Sequence, residues 1–203
     1  MPEALYDSIP LTDLQKYLLE QIRESRYPPG RRVQVSLASF FIVHEHYRAI
    51  AVLLEKKLYA SSFALARPLY EALVKGMWVN HCALDSQIEA FARGRELGSL
   101  NELTDELLTS ALPTVISTSI RNVKEKYWKV MSSFAHAGHA QVKRWVNSTG
   151  VKPTYEDAEI KELSNFTAFM AVAASLEIAR LSGNESALKT IHELLPPETN
   201  EKT

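Results

Sequence analysis

Apolar residues recur at three- and four-residue spacing along most of the chain, and polar punctuation separates one such run from the next. Leu14, Tyr17, Leu18 and Ile22 fall on one stripe, which predicts a first helix over residues 12–25. Tyr27-Pro28-Pro29-Gly30 breaks the chain, and residues 31–57 read as a long helix, apolar through Phe40-Phe41-Ile42-Val43 and again at 50–54. A third long helix is expected over 61–82. Pro68 lies within it, so either the helix kinks there or a helix starts close to that proline. A shorter helix follows over 85–97, and a short polar one over 101–111. Pro113 then opens a long helix, to residue 134, from its first turn.

His136-Ala137-Gly138-His139 interrupts that pattern, 142–146 reads as a short helical turn, and 147–153 is the clearest loop. The last long helix begins at Thr154, carries the Ala-rich stretch 168–174 and ends at Gly183-Asn184, with a terminal helix over 185–195. No run alternates cleanly enough to predict a strand. The expected fold is all-α: an up-and-down bundle of four to five long helices with short satellite helices, one domain over 1–195 with a frayed polar tail at 196–203.

Composition narrows the class. A hydrophobic fraction of 46% and a charged fraction of 23% over 203 residues are those of an ordinary globular chain with a real core. A formal net charge of -1 excludes coating of nucleic acid by bulk electrostatics, while leaving room for a local basic patch. One cysteine, Cys82, excludes an internal disulfide, and its largely apolar setting reads as a small hydrophobe. Residues 1–7 lack the basic start and apolar core of a signal peptide. The longest mainly apolar stretches, 33–43 and 166–176, fall short of a bilayer span. The expectation is a cytoplasmic protein with no membrane partner.

Four polar residues stand out against the apolar helices: Arg67, Glu71, His136 and His139. Arg67 and Glu71 are four apart and share a helix face. They read either as an intrahelical salt bridge at a helix edge or as a pair held in a pocket, with the guanidinium as an anion clamp. His44, Glu45, His46 and Arg48 interrupt the second helix, with His44 and Arg48 on one face. That belt either meets solvent or turns toward the same pocket as Arg67 and Glu71. Ser132, Ser133, His136 and His139 form the densest group of small polar and titratable side chains. A helix ending at Gly138 would put His136 on its last turn, suited to acid–base work, though a plain helix terminus explains it equally. Lys124, Lys126, Lys129, Lys143 and Arg144, with Tyr127, Trp128 and Trp145 among them, form either a solvated face or a surface for single-stranded nucleic acid.

Several chemistries are set aside. No glutamate has a histidine three residues later, as di-iron bundles require, and His136-x-x-His139 lacks a third ligand motif, so no metal is expected. There is no phosphate-cradling Gly-x-x-x-x-Gly-Lys loop and no Gly-x-Ser-x-Gly elbow, and no cofactor is expected.

Arg67-Pro68-Leu69-Tyr70-Glu71-Ala72-Leu73, together with Ser132-Ser133-Phe134-Ala135-His136-Ala137-Gly138, resembles a set of bacterial helical proteins regarded as distant relatives of the HEPN domain superfamily. The resemblance covers about residues 35–180. It implies an up-and-down helical bundle, a homodimer, and a role in bacterial defence or toxin–antitoxin settings, with RNA or a cognate protein as partner. Active members are metal-independent endoribonucleases whose motif is an arginine, a polar residue, three to five further residues and a histidine. No arginine in this chain has a histidine at that distance. Lys129, seven before His136, is the nearest substitute, with Val130 where the family has a polar residue. A working site would take its guanidinium from Arg67 on another helix, within hydrogen-bond reach of His136, with Glu71 orienting the arginine. The alternatives are a non-catalytic interaction module and a helical pocket for a small anion clamped by Arg67 with His44 or Arg48.

Overall fold

The computed structural model describes residues 9–148 and 150–195, and they are predominantly helical. α1 (Leu11–Ile22) and α2 (Arg31–Glu55) lie near their expected bounds. The third expected helix is two: α3 (Tyr59–Ala64) and α4 (Ala66–His81). Pro68 has no N–H to donate to the carbonyl four residues back, so the chain breaks at Leu65 and the proline sits in the first turn of α4, where a missing donor costs little. Of the two sequence readings at Pro68, the helix start is the one adopted.

α5 (Asp85–Ala92) and α6 (Leu100–Leu108) follow, the latter closed by a reciprocal cap between Ser99 and Glu102. The helix expected over 113–134 runs as α7 (Thr114–Asn122) and α8 (Trp128–Ala135), joined by a widened turn at Val123–Tyr127. α9 (His139–Val142) is a single turn that starts and ends earlier than the turn expected at 142–146. Val146–Asn147 and Gly150–Val151 then pair as the antiparallel strands β1 and β2. This corrects the expectation of no strand: two residues a side are too few for alternation to register. α10 (Asp157–Ser182) starts three residues after Thr154, and Gly183 ends it in the left-handed conformation. α11 (Glu185–His192) completes the order. The tail expected to fray, and the segment 1–7 read for a leader, lie outside the described residues, the adjoining Ser8 included.

α10 is buried on all sides from Thr167 to Ala179, and α1, α2, α4 and α11 pack around it. Its run of alanines lets those helices approach closely. α2 packs most extensively on α4. Gly76 is the point of closest approach: a Cβ there would lie 2.7 Å from Phe40 Cε1 and 2.9 Å from Ser39 Cβ. Arg32, at the start of α2, donates to Val79 O (2.6 Å) in the last turn of α4 and to Ala83 O (2.8 Å) just beyond it. Among the described residues α2 is the one helix with the length and hydropathy of a membrane span. The sequence expectation fell short because it stopped at His44-Glu45-His46, through which the helix continues. A core helix meets the same criteria, and Phe40, Val43, Tyr47 and Ile50 are fully buried.

The Gly76 contact yields a prediction. Alanine gains about 1 kcal/mol of helix propensity over glycine, but overpacking against a buried ring costs about 1–3 kcal/mol. Gly76→Ala is therefore expected to lower stability by about 1 kcal/mol, read as a lower urea midpoint at unchanged m-value. An unchanged or higher midpoint would show that the α2–α4 contact is looser than described.

Candidate functional site

Arg67 sits in the first turn of α4, where the helix dipole already disfavours a cation. Three groups offset this. Glu71 Oε1 accepts from Arg67 Nε at 2.7 Å, the guanidinium carbon lies 4.5 Å from the centre of the Trp128 ring, and Arg67 Nη1 is 2.7 Å from His136 Nε2. Arginine has no acceptor, so Nη1 donates and His136 takes part as the tautomer with Nε2 unprotonated. Arg67 and His136 are 69 positions apart in sequence. The sequence expectation required hydrogen-bond reach between these two side chains, and the fold supplies it.

The widened turn before α8 selects the aromatic. Trp128 N–H donates to Val123 O, five residues back, so Trp128 takes the inward place that Tyr127 would hold in an uninterrupted helix. Trp128 packs 6.4 Å, centroid to centroid, from Tyr70, whose hydroxyl donates to Ile120 O. Burial pushes that hydroxyl up to about 12, more than a hydrogen bond with Thr104 lowers it. Trp128 had been read only as part of a basic and aromatic surface. The cue that it belongs to the site, a one-residue offset in helical phase, is too small to detect from spacing.

His136 is held by the end of α8. Its N–H donates to Ser132 O (3.1 Å) and Gly138 N–H to Ser133 O (2.6 Å), closing the helix with Ala137 in the left-handed region at φ 51°. The expected stop at Gly138 is thus made one residue earlier by an alanine. Gly138 is needed for a different reason: a Cβ there would lie 2.6 Å from Ser133 Oγ, which accepts from Ala140 N–H. The imidazole of His136 is exposed.

An open cleft of about 310 Å³ runs beside the pair, lined by Arg67, Glu71, Lys75 and Trp128 and by the segment Glu96–Asn101. The other expected site residues divide. Ser132 is half-buried and contributes its carbonyl to the turn, Lys129 is exposed on α8, and His139 is exposed at the start of α9. None of these three lines the cleft, and neither do His44, Arg48 and His136, the last of which reaches it only through its contact with Arg67. Arg48 is exposed on α2, whereas His44 is buried against α10, its Nε2 3.1 Å from Ser175 Oγ. The serine hydroxyl donates to Ala171 O, so it accepts from His44 Nε2–H and leaves the buried Nδ1 without a partner. Burial lowers His44 to about 4. Of the five basic residues around the histidines, Lys124 pairs with Asp105 and Arg144 with Glu159, leaving Lys126, Lys129 and Lys143 exposed.

A second polar cluster escaped the sequence reading. Glu177 is fully buried in α10 and accepts from Asn80 Nδ2 (3.0 Å) and Arg180 Nη1 (2.5 Å), with His81 Nε2 at 2.7 Å. Burial alone would raise its carboxyl, but His81, Arg180 and Asn80 together hold it below the ordinary value. The cluster ties the end of α4 to the central helix. Cys82 beside it is half-buried, and burial raises its thiol.

The chain matches the model of a family of unknown function (DUF6988) over residues 40–197, a span holding every element of the site. The chain belongs to that family. No curated protein and no solved structure matches it.

Two measurements check this geometry. Ala137→Gly removes the strain of a left-handed alanine, and Gly138→Ala forces Ser133 to move. The first is expected to stabilise by about 0.5–1 kcal/mol and the second to destabilise by about 1–2 kcal/mol in thermal unfolding. Equal effects of one sign would refute the turn described. Because His44 is held neutral in the folded protein, the unfolded chain takes up a proton that the native state refuses. Stability is therefore expected to fall as pH drops from 6.5 toward 4, by up to about 3 kcal/mol from this residue. His44→Gln should flatten that part of the urea-unfolding pH profile; an unaltered slope would place the proton elsewhere.

Proposed function

We propose that this is a HEPN-like helical bundle that acts on RNA in the bacterial cytoplasm, in a defence or toxin–antitoxin setting, with a composite site built from Arg67 and His136. One observation carries the reading: a guanidinium that lines an open cleft is in direct hydrogen-bond contact with an imidazole from a distant part of the chain. The superfamily's motif places these groups on one helix, and this chain would restore the pairing through tertiary structure.

In the catalytic form, an RNA phosphate displaces the imidazole from Arg67. The guanidinium then donates to the phosphate oxygens, in the first turn of a helix whose dipole also favours an anion. Nε2 of His136, released, takes the proton of the neighbouring ribose 2'-hydroxyl. The 2'-oxygen bonds to phosphorus, the bond to the 5'-oxygen breaks, and that oxygen leaves with a proton from solvent or from the imidazolium. The product ends are a 2',3'-cyclic phosphate and a 5'-hydroxyl. Glu71 fixes the guanidinium through Nε, and the Nη groups are the donors that would meet the phosphate. Exposed Lys126, Lys129 and Lys143 supply charge for the adjoining backbone.

The test is incubation of the purified protein with a mixed RNA pool, with and without chelator. Chelator-resistant cleavage is expected, reduced about 10²–10⁴-fold in His136→Ala and about 10²–10³-fold in Arg67→Ala. Since His136 is exposed, its variant should keep the wild-type melting temperature. Binding without cleavage would reduce the proposal to an RNA-binding descendant. Neither binding nor cleavage over a wide concentration range would favour the interaction module instead.

A further inference from the structure

The outward face of α2 carries Gln34, Ala38, Phe41, Glu45, Arg48, Val52 and Glu55, all exposed, spaced alternately four and three residues apart. Any one face of a helix recurs with this spacing, and a pair of helices packed side by side meets along such a stripe. Phe41 is 44% exposed and Val52 43%, and Ile42 at 46% flanks the stripe, so the seam is not a plain solvated face. Glu45 and Arg48 lie at its centre, and neither forms a salt bridge within the chain among the described residues, although they are one helical turn apart.

The order of these residues is self-complementary. Laid antiparallel on a second copy about a two-fold axis passing between Glu45 and Arg48, the stripe sets Glu45 against Arg48 of the other copy, and Arg48 against its Glu45. Phe41 then meets Val52 on either side, and Ala38 meets Glu55. A two-fold interface requires this reciprocity, each residue meeting a partner that meets it in return. A parallel arrangement would instead set Glu45 on Glu45 and Arg48 on Arg48. We infer that the outer face of α2 is an antiparallel homodimer interface, in register about the Glu45–Arg48 pair. Arg48, read from sequence as an anion clamp, serves here as half of an ion pair between copies. The inference is independent of the RNA reading.

Sedimentation of the full-length protein over a concentration series tests it. The wild type is expected to approach twice the 22.9 kDa monomer mass. Glu45→Arg and Arg48→Glu are each expected to sediment as monomers, because each sets like charges against each other across the axis. Mixed in equal amounts, those two variants are expected to recover the dimer, since each pair is then of opposite sign, and the double variant carrying both changes should recover it as well. Phe41→Asp should remain monomeric throughout. All these positions are exposed, so far-ultraviolet circular dichroism and melting of the monomeric variants should match those of a folded chain. A wild type that stays monomeric to about 100 µM, a weak limit for a specific contact of one helix pair, would overturn the inference. So would single charge reversals that leave the dimer intact, or a mixture that fails to restore it. Attachment of a monomeric wild type to lipid vesicles would reassign the face to a membrane.

Discussion

The close approach of α2 to α4 at Gly76 is the constraint on which the rest of the architecture depends. With no side chain at that position, the edge of the Phe40 ring lies against the α4 backbone, and Arg32 ties down the far end of the same helix through Val79 O and through Ala83 O just past it. α4 is thereby fixed at its middle and at its C-terminal end. Its N-terminal turn, which carries Arg67 and Glu71, can then project toward α8 in one orientation. The same contact determines which face of α2 is turned outward, and so which residues remain available to a second copy.

The two polar clusters on α4 show how position decides the role of similar chemistry. At the C-terminal end, Glu177 is enclosed by Asn80, His81 and Arg180, and each of its oxygens has a partner. Such a network holds helices together, because removing any donor would leave a buried carboxylate under-satisfied at a cost of several kcal/mol. At the N-terminal end, Arg67 has three kinds of partner, one of which, His136, is exposed, so parting the two leaves no buried group unsatisfied. An exposed Arg–His contact can open to solvent without disturbing the helices around it; an enclosed Glu–His–Arg cluster cannot.

Spacing within a helix was legible because the helical period is local. The Arg67–Glu71 pair, the bounds of α2, and the glycine at the end of α10 all follow from residues within a few positions of one another. Elements whose signal is weaker than the scatter of that period were not legible. The two-residue strands at 146–151 carry no alternation, and the widened turn at Val123–Tyr127 shifts helical phase by a single residue. At Ala137 the chain adopts a conformation that alanine disfavours, so the true helix stop lay beside the residue, Gly138, that composition would select.

The sequence by itself determined a predominantly helical chain, the face shared by Arg67 and Glu71, and the presence of titratable groups at 136 and 139. Tertiary structure decided which of them meet. Burial of α10 on every side, and the lock between α2 and α4, bring Arg67 to His136 while drawing His44 into the core and leaving Arg48 outside. No local rule contains that choice, because it is made by the packing of apolar surfaces far apart in the chain, and the polar groups go where that packing carries them.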